Sequence, residues 1–261
     1  MNQLQNNFLK LENIVYATGR LTKEPSFGET KEGKRYAKFT LASDKKPTRK
    51  SEEAEKPNFI PVEIYGDEIV GSAESFLKKG NSVEIIGSIR TGSYENSQGN
   101  KVFTWKVNAT GVSELPEGAM VGMSAVIFTG KLHSDSKISY TNNGNSVCVT
   151  DLFIEVGRRF GDGKDFIPAT LYGKLGETLG RYLVKDQVVT VRGRIDTGSY
   201  VNSKKVTVYT WRVIADDMYL VGKPLRETEE EPEEAVVVVE GDEESGFIDL
   251  PPEFDDEYYD F

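Results

Sequence analysis

The sequence predicts an all-β chain with short helices that forms two small five-stranded barrels in tandem and ends in an acidic tail. The first observation behind this prediction is an internal repeat, since residues 89–107 recur as residues 195–213 after a shift of 106 positions. A period that long corresponds to a whole domain and exceeds the unit of a solenoid. The second observation is that each copy alternates short apolar runs with turn residues, which is typical of strands.

The repeat extends upstream and defines the domain boundaries. Residues 58–66 correspond to 165–173, and residues 15–21 correspond to 126–132. The offset changes between these blocks, which indicates that loops changed length while the strands kept their order. We therefore expect three parts, namely a first barrel at 1–116, a second barrel at 121–221 and a tail at 222–261.

In the first copy, hydrophobic patterns and turn residues predict five strands and one helix. The strands are predicted at 13–21, 35–42, 59–65, 83–90 and 101–109. A helix is predicted over 67–79, because apolar residues recur there at helical spacing and Gly80 follows as a stop signal. The charged, proline-bounded residues 45–57 are expected to form a loop, and residues 93–100 a hairpin connection.

The second copy repeats this order, with a helix predicted over 174–185 and final strands over 188–196 and 206–214. Five strands with one helix between the third and fourth strands fit a small Greek-key barrel of the OB type. The tail has no periodicity long enough to build a core, so we expect it to be disordered.

Charge is divided unevenly along the chain. The net charge is −10, yet residues 222–261 alone hold two cations and sixteen Asp and Glu residues, a balance of −14. Residues 1–221 therefore carry +4. A mildly basic pair of domains followed by an acidic tail is typical of a protein whose tail mediates interactions.

Cysteine content and hydropathy indicate the cellular compartment. Cys148 is the single cysteine, which excludes an intramolecular disulfide and fits a reducing cytosol. The N-terminus lacks the basic-then-apolar pattern of a signal peptide, and no stretch approaches the ~18 apolar residues of a membrane helix. We therefore expect a cytoplasmic protein with no membrane partner.

Several short stretches form a recognisable set. They are 13–16 with Gly19, Leu21 and Pro25, then 37–42, 64–66, 77–80, 89–91 with Tyr94, and the terminal Asp260-Phe261. This set resembles the bacterial single-stranded DNA-binding protein (SSB) family. Two barrels in one chain resemble its two-domain members, which dimerise to assemble four OB folds. The tip departs from the family, whose tail usually ends in Pro-Phe, because Asp260 precedes Phe261 here.

The resemblance implies sequence-nonspecific binding and protection of single-stranded DNA during DNA replication, recombination and repair, by a nucleoid-associated homodimer. It also implies that the acidic tip recruits replication and repair proteins. The tip residues expected to bind partners are Asp255, Asp256, Glu257, Tyr258, Tyr259, Asp260 and Phe261. A terminal aromatic residue can place its ring in a pocket while cations bind the nearby carboxylates. The other interpretation is that the tail is a solubilising spacer.

Binding single strands without sequence preference needs rings for the bases and cations for the phosphates. The stacking candidates are Phe59, Tyr65 and Tyr94 in the first copy, and Phe160, Phe166, Tyr172 and Tyr200 in the second. The phosphate candidates are Arg90, Lys106, Arg158, Arg159, Arg194 and Arg212. Each ring could instead pack inside its barrel, and each cation could be an ordinary surface charge. Trp105 and Trp211 alternate in phase with valines, so both core packing and DNA contact remain open for them.

An enzyme is the main alternative class of protein. The single His133 has no relay partner, and the sequence has no metal-spaced Cys/His cluster, phosphate-binding loop or nucleophile elbow. We therefore expect no catalysis, metal or cofactor. Two further alternatives stay open: an OB-fold adaptor that binds proteins and little DNA, and an OB module that reads folded RNA.

Overall fold

The computed structural model describes residues 13–45, 56–95, 99, 101–119, 121–141, 146–159, 161–201, 205 and 207–221. These residues form two compact units, the first spanning Asn13–Val126 and the second beginning at Ile127. Phe160 and the acidic tail lie outside the described residues, so the expectations stated for them stay predictions. No helix in these ranges is long and apolar enough to cross a membrane.

The described part of the first unit consists of six strands and one short helix. They are β1 (Asn13–Leu21), β2 (Ser26–Glu29), β3 (Arg35–Ser43), β4 (Asn58–Tyr65), α1 (Asp67–Ala73), β5 (Ser82–Glu95) and β6 (Lys101–Glu114). The strands follow the order β2-β3-β4-β6-β5-β1, and β1 also pairs with β3. This last pairing closes five strands into a barrel and leaves β2 outside the ring.

The second unit repeats the topology. Its elements are β7 (Ser124–Leu132), β8 (Lys137–Tyr140), β9 (Cys148–Gly157), β10 (Lys164–Tyr172), α2 (Gly173–Gly180), β11 (Val188–Val201) and β12 (Thr207–Leu220). The order is β7-β11-β12-β10-β9-β8, and the pairing of β7 with β9 closes the ring. The prediction of two five-stranded barrels, each with a helix between its third and fourth strands, is confirmed. The short strands β2 and β8 were not predicted.

Alternation along each strand places apolar side chains inside the barrel. Val62 of β4 lies beside Val107 of β6, and Val107 lies opposite Ile89 of β5. All three side chains are buried, so one apolar layer crosses three neighbouring strands. Burying a side chain of this size stabilises the fold by about 1.5–3 kcal/mol. This layer therefore determines which side of each strand faces outward.

Both helices are shorter than the sequence predicts. α1 ends at Ala73, and the amides of Phe76 and Leu77 turn back to donate to the Ala73 carbonyl. The turn buries Leu77. α2 likewise ends at Gly180, and Leu183 is buried in the turn that follows. The apolar spacing that predicted longer helices thus serves core packing by the turns that follow α1 and α2.

The hairpin strands are longer than predicted, since β5, β6, β11 and β12 each have 14 residues. The register of β5 and β6 shifts between Ile86 and Gly87, where Thr110 is the extra residue of a β-bulge in β6. A Cβ atom on Gly87 would collide with the carbonyl oxygen of Asn108, so only glycine allows so close an approach of the two strands. Gly193 of β11 lies at the matching shift, where Asp216 of β12 is the extra residue.

Candidate nucleic-acid interface

One surface of the first barrel brings together all five of the binding residues predicted for it. Strands β3, β4, β6 and β5 are neighbours in that order, and their register fixes which side chains share a side. Residues that alternate with the buried ones point outward. We call these residues the first outer face; they are Tyr36, Lys38, Thr40, Ala42, Phe59, Pro61, Glu63, Tyr65, Ser88, Arg90, Tyr94, Thr104 and Lys106.

The three stacking candidates of the first copy lie on the first outer face. Phe59 is 48% exposed, although it belongs to a strand that lines the core. Tyr94, near the far end of β5, is 56% exposed. Tyr65 is half-buried, and its ring centroid lies 6.0 Å from that of Tyr36, with the ring planes tilted by 49°. The face therefore presents two exposed rings and one tyrosine pair.

A single carboxylate, that of Glu63, organises the centre of the first outer face. Lys38 Nζ lies 3.1 Å from Glu63 Oε1, and Lys106 Nζ lies 2.6 Å from Glu63 Oε2. The Tyr65 hydroxyl donates to the same carboxylate. Burial alone would raise the pKa of Glu63, but the hydrogen bonds from Lys106, Tyr65 and Lys38 outweigh it and lower that pKa. Burial and the bond to Glu63 raise the pKa of Tyr65 well above its usual range.

The first outer face has an excess of cations. Arg90 of β5 lies directly opposite Lys106 of β6. Together with Lys38 and Glu63, they make three cations and one carboxylate, a formal charge of +2. Phosphates bind such cations and unpaired bases stack on neighbouring rings, so the face has the chemistry that a single-stranded nucleic acid requires.

The second barrel has a matching surface on β9, β10, β12 and β11. The strand registers match Phe166 with Phe59, Tyr200 with Tyr94, and Arg212 with Lys106. We call this surface the second outer face; in the same order as the first, its residues are Val149, Asp151, Phe153, Glu155, Phe166, Pro168, Thr170, Tyr172, Arg194, Asp196, Tyr200, Thr210 and Arg212.

Phe166, a stacking candidate of the second copy, is packed against other rings. Its ring is stacked on that of Phe153 at 5.6 Å with an interplanar angle of 16°. The ring of His133 meets Phe166 at 5.4 Å and Phe153 at 5.7 Å, both edge-on. One side of the Phe166 ring is therefore occupied within the protein. Tyr172 and Tyr200 are half-buried.

Both arginines of the second outer face are in ion pairs. Arg212 Nε lies 3.6 Å from Asp196 Oδ2, and these side chains are only 13% and 17% exposed. The guanidinium carbon of Arg212 also lies 5.7 Å from the centre of the Tyr172 ring, within cation–π range. Arg194 pairs with Asp216. The cations of this face are thus directed towards carboxylates of the same barrel.

A half-buried carboxylate, that of Asp151, lies near the centre of the second outer face. Asp151 Oδ1 accepts a hydrogen bond of 2.7 Å from Thr170 Oγ1. Burial raises the pKa of Asp151, although Thr170 and Arg212 act in the opposite direction. Burial also raises the pKa of Tyr172.

The two remaining basic candidates lie beyond the end of β9. Arg158 donates from Nε and Nη2 to the two carboxylate oxygens of Asp165, at 3.2 and 3.1 Å. Asp165 is fully buried. A bidentate pair of this kind is strong and directional, so in this structure Arg158 holds the segment after β9. Arg159 is exposed.

Trp105 and Trp211 occupy matching positions on the hairpins. Each is half-buried and lies in phase with a buried valine, Val107 or Val213. Each therefore lies on the side of its hairpin opposite to the cation that follows it in the chain. Neither belongs to an outer face.

Sequence reasoning missed two rings that belong to the outer faces. Tyr36 pairs with Tyr65, and Phe153 supports Phe166. Tyr209, near the end of the second hairpin, is highly exposed but lies in phase with Trp211, on the side away from the second outer face. The signal for Tyr36 was present, because it alternates with Lys38 in a predicted strand. The contacts of Phe153 depend on pairing between distant segments, which a single strand pattern does not reveal.

Known proteins resemble this chain in sequence. The model of the Single-strand binding protein family matches residues 12–115 and 123–221, one match for each barrel. The single-stranded DNA-binding protein of Clostridium tetani is 35% identical over 100 residues, covering 37% of this chain and 68% of that protein. Single-stranded DNA-binding protein A of Bacillus subtilis is 39% identical over 103 residues, covering 40% of this chain and 59% of that protein. The matches leave a substantial part of each relative uncovered.

Two solved structures resemble this chain in fold. Wild-type single-stranded DNA binding protein from Thermus aquaticus matches with a TM-score of 0.64 at 21% identity, covering 83% of this chain and 96% of that one. A deletion mutant of the same protein matches with a TM-score of 0.65 at 23% identity, covering 85% and 98%. At this level of identity the likeness shows the fold.

Proposed function

Because the chain belongs to the single-strand binding protein family, we propose that it binds and protects single-stranded DNA without sequence preference. The observation that carries this proposal is the first outer face, where exposed rings and cations share one side of one sheet. Stacking on a ring tolerates any base, since every base has a flat face, and it is worth about 1–3 kcal/mol per base. Lys38, Lys106 and Arg90 lie beside these rings and would attract the phosphates.

Phe59 and Tyr94 are placed to hold different bases. β6 lies between β4 and β5. When the paired registers of the three strands are extended, Phe59 of β4 lies at the same height as Gly92 of β5. Tyr94 lies two residues further along β5. Strands lie about 4.8 Å apart and each residue advances about 3.4 Å, so the two Cα atoms are about 12 Å apart. Rings contact each other only within about 7 Å. The two side chains therefore supply separate stacking surfaces.

We extend the proposal to the cellular role of the chain. It would act in DNA replication, recombination and repair, in the cytoplasm and at the nucleoid, as a homodimer with four OB folds. The acidic tip at 255–261 would recruit replication and repair proteins. The chain would have no catalytic activity and no cofactor.

Fluorescence anisotropy of labelled poly-dT, compared with duplex DNA and with RNA across a salt series, tests the proposal. We expect tight binding of dT, weak binding of the duplex, and a log–log salt slope of about −0.7 for each neutralised phosphate. Equal binding of single strand and duplex would contradict it. An absence of binding to all three would favour the adaptor function, and a preference for folded RNA would favour the RNA-reading module.

A further inference from the structure

The two outer faces carry different charges at matched positions, and this difference bears on how they would share a bound strand. The inference rests on the proposed function. Where the first outer face has Lys38, Glu63 and Arg90, the second has Asp151, Thr170 and Asp196. Including Glu155, Arg194 and Arg212, the second outer face has two cations and three carboxylates, a formal charge of −1. The formal charge of the first outer face is +2.

The cations also differ in how far they reach solvent. Lys38 and Lys106 are 50% and 39% exposed while they contact Glu63, so their ammonium groups can meet a phosphate from outside. Arg212, which matches Lys106, is largely buried against Asp196. A phosphate that approaches Arg212 must compete with that carboxylate and is repelled by it.

The stacking residues differ in the same direction. Phe59 is exposed, whereas one side of the matching Phe166 ring is covered by Phe153. Phe153 stands at the position that Thr40 occupies in the first barrel, and a threonine cannot cover a ring in this way. The first outer face thus leaves Phe59 and its two lysines more exposed than the second leaves Phe166 and Arg212.

We propose that the first outer face is the primary strand-binding site and supplies most of the salt-dependent affinity. The second outer face is a secondary site, at which Asp151 and Asp196 suppress phosphate contacts. A strand would therefore engage the first barrel at low protein concentration and high salt, and the second barrel when salt is low.

Exchanging the charged residues between the faces of the full-length chain tests this division. The transplant variant Asp151→Lys/Thr170→Glu/Asp196→Arg gives the second outer face the charged set of the first and changes its charge from −1 to +2. The reciprocal variant Lys38→Asp/Glu63→Thr/Arg90→Asp does the reverse. The control is Glu177→Lys, an exposed residue of α2 that changes charge away from both faces. Salt slopes are measured with poly-dT.

Each gained or lost phosphate contact changes the log–log slope by about 0.7. We expect the transplant slope to be steeper than wild type by about 1.4, which strengthens binding at 0.1 M relative to 1 M salt by about 25-fold. The reciprocal slope should be shallower by a similar amount, and Glu177→Lys should stay near wild type. Circular dichroism checks that each variant folds. If the transplant variant does not fold, the single change Asp196→Arg replaces it, and its log–log salt slope should be steeper than wild type by about 0.7.

The outcomes separate this inference from the proposed function. A wild-type chain that does not prefer single strands refutes the proposed function. A wild-type chain that binds dT while the transplant and Asp196→Arg both behave like Glu177→Lys refutes the role of the two aspartates. A reciprocal variant with the wild-type slope refutes the first outer face as the primary site.

Discussion

Removing the rings of Phe59 and Tyr94 tests how the first outer face would hold bases. Both side chains are largely exposed, so replacing each by alanine leaves no internal cavity, and surface changes of this kind alter stability by only about 0.5 kcal/mol. If each ring stacks on one base, each single variant loses about 1–3 kcal/mol, or about 5- to 150-fold in Kd. We therefore expect weaker binding of poly-dT than in wild type, with a melting temperature that changes by no more than about 4 °C.

The double variant makes the test sharper. Sites separated by more than about 10 Å usually contribute independently, and these two Cα atoms are about 12 Å apart. We expect the two losses to add, to between about 2 and 6 kcal/mol, in anisotropy titrations of poly-dT at one fixed salt concentration. A double variant no weaker than the worse single variant would mean that the rings share one base, which refutes the geometric reasoning.

A matched control uses another exposed phenylalanine of the same unit. Phe27 of β2 lies opposite Ala37, whose side chain points into the barrel, so Phe27 is not on the first outer face. Phe27→Ala should leave dT affinity within experimental error of wild type. If it weakened binding as much as Phe59→Ala does, ring exposure alone would explain the result, and the assignment of the face would be wrong.

Two other predictions concern Glu63 and the tip. Hydrogen bonds lower the pKa of Glu63 despite its burial, so its ionised form stabilises the fold above its ordinary pKa of 4.5, and this contribution disappears as the pH falls through the lower folded value. The difference in unfolding free energy between wild type and Glu63→Gln, from denaturant titrations, should therefore be smaller at pH 3 than at pH 7; a constant difference would contradict the pKa shift. Deleting residues 255–261 should abolish co-purification of replication and repair proteins, identified by mass spectrometry, and leave dT binding equal or tighter; weaker dT binding would argue against a docking role.

The architecture could be predicted from sequence because its signals are local or repeated. Alternation in 59–65 and the 106-residue repeat located strands in both copies, and the phase of Val107 placed Lys106 on the opposite side from the core. The helix ends were predicted wrongly, because Leu77 shows helical spacing but reaches the core through a turn. Apolar spacing reports burial, and burial does not distinguish a last helical turn from a tight turn.

The detail of the candidate site was not predictable, because it depends on contacts between distant segments. Arg212 looked equivalent to Lys106, yet its partner Asp196 lies across a hairpin and replaces an arginine of the first copy. Phe166 looked equivalent to Phe59, but Phe153 on a neighbouring strand covers it. Cross-strand register decides both cases, and a single segment of sequence carries no information about its partner strand.

Gly87, which lies opposite the β-bulge of β6, has a consequence for the pairing register of the whole hairpin. A two-stranded ribbon that slips by one residue turns every side chain to the opposite side. At Gly87 such a slip would bring a neighbour with a Cβ atom against the Asn108 carbonyl, where no side chain fits. Gly87 therefore restricts β5 and β6 to a single pairing register. Tyr94 lies seven residues further along β5. Its side chain keeps its orientation because the close approach at Gly87 fixes the register of the strand.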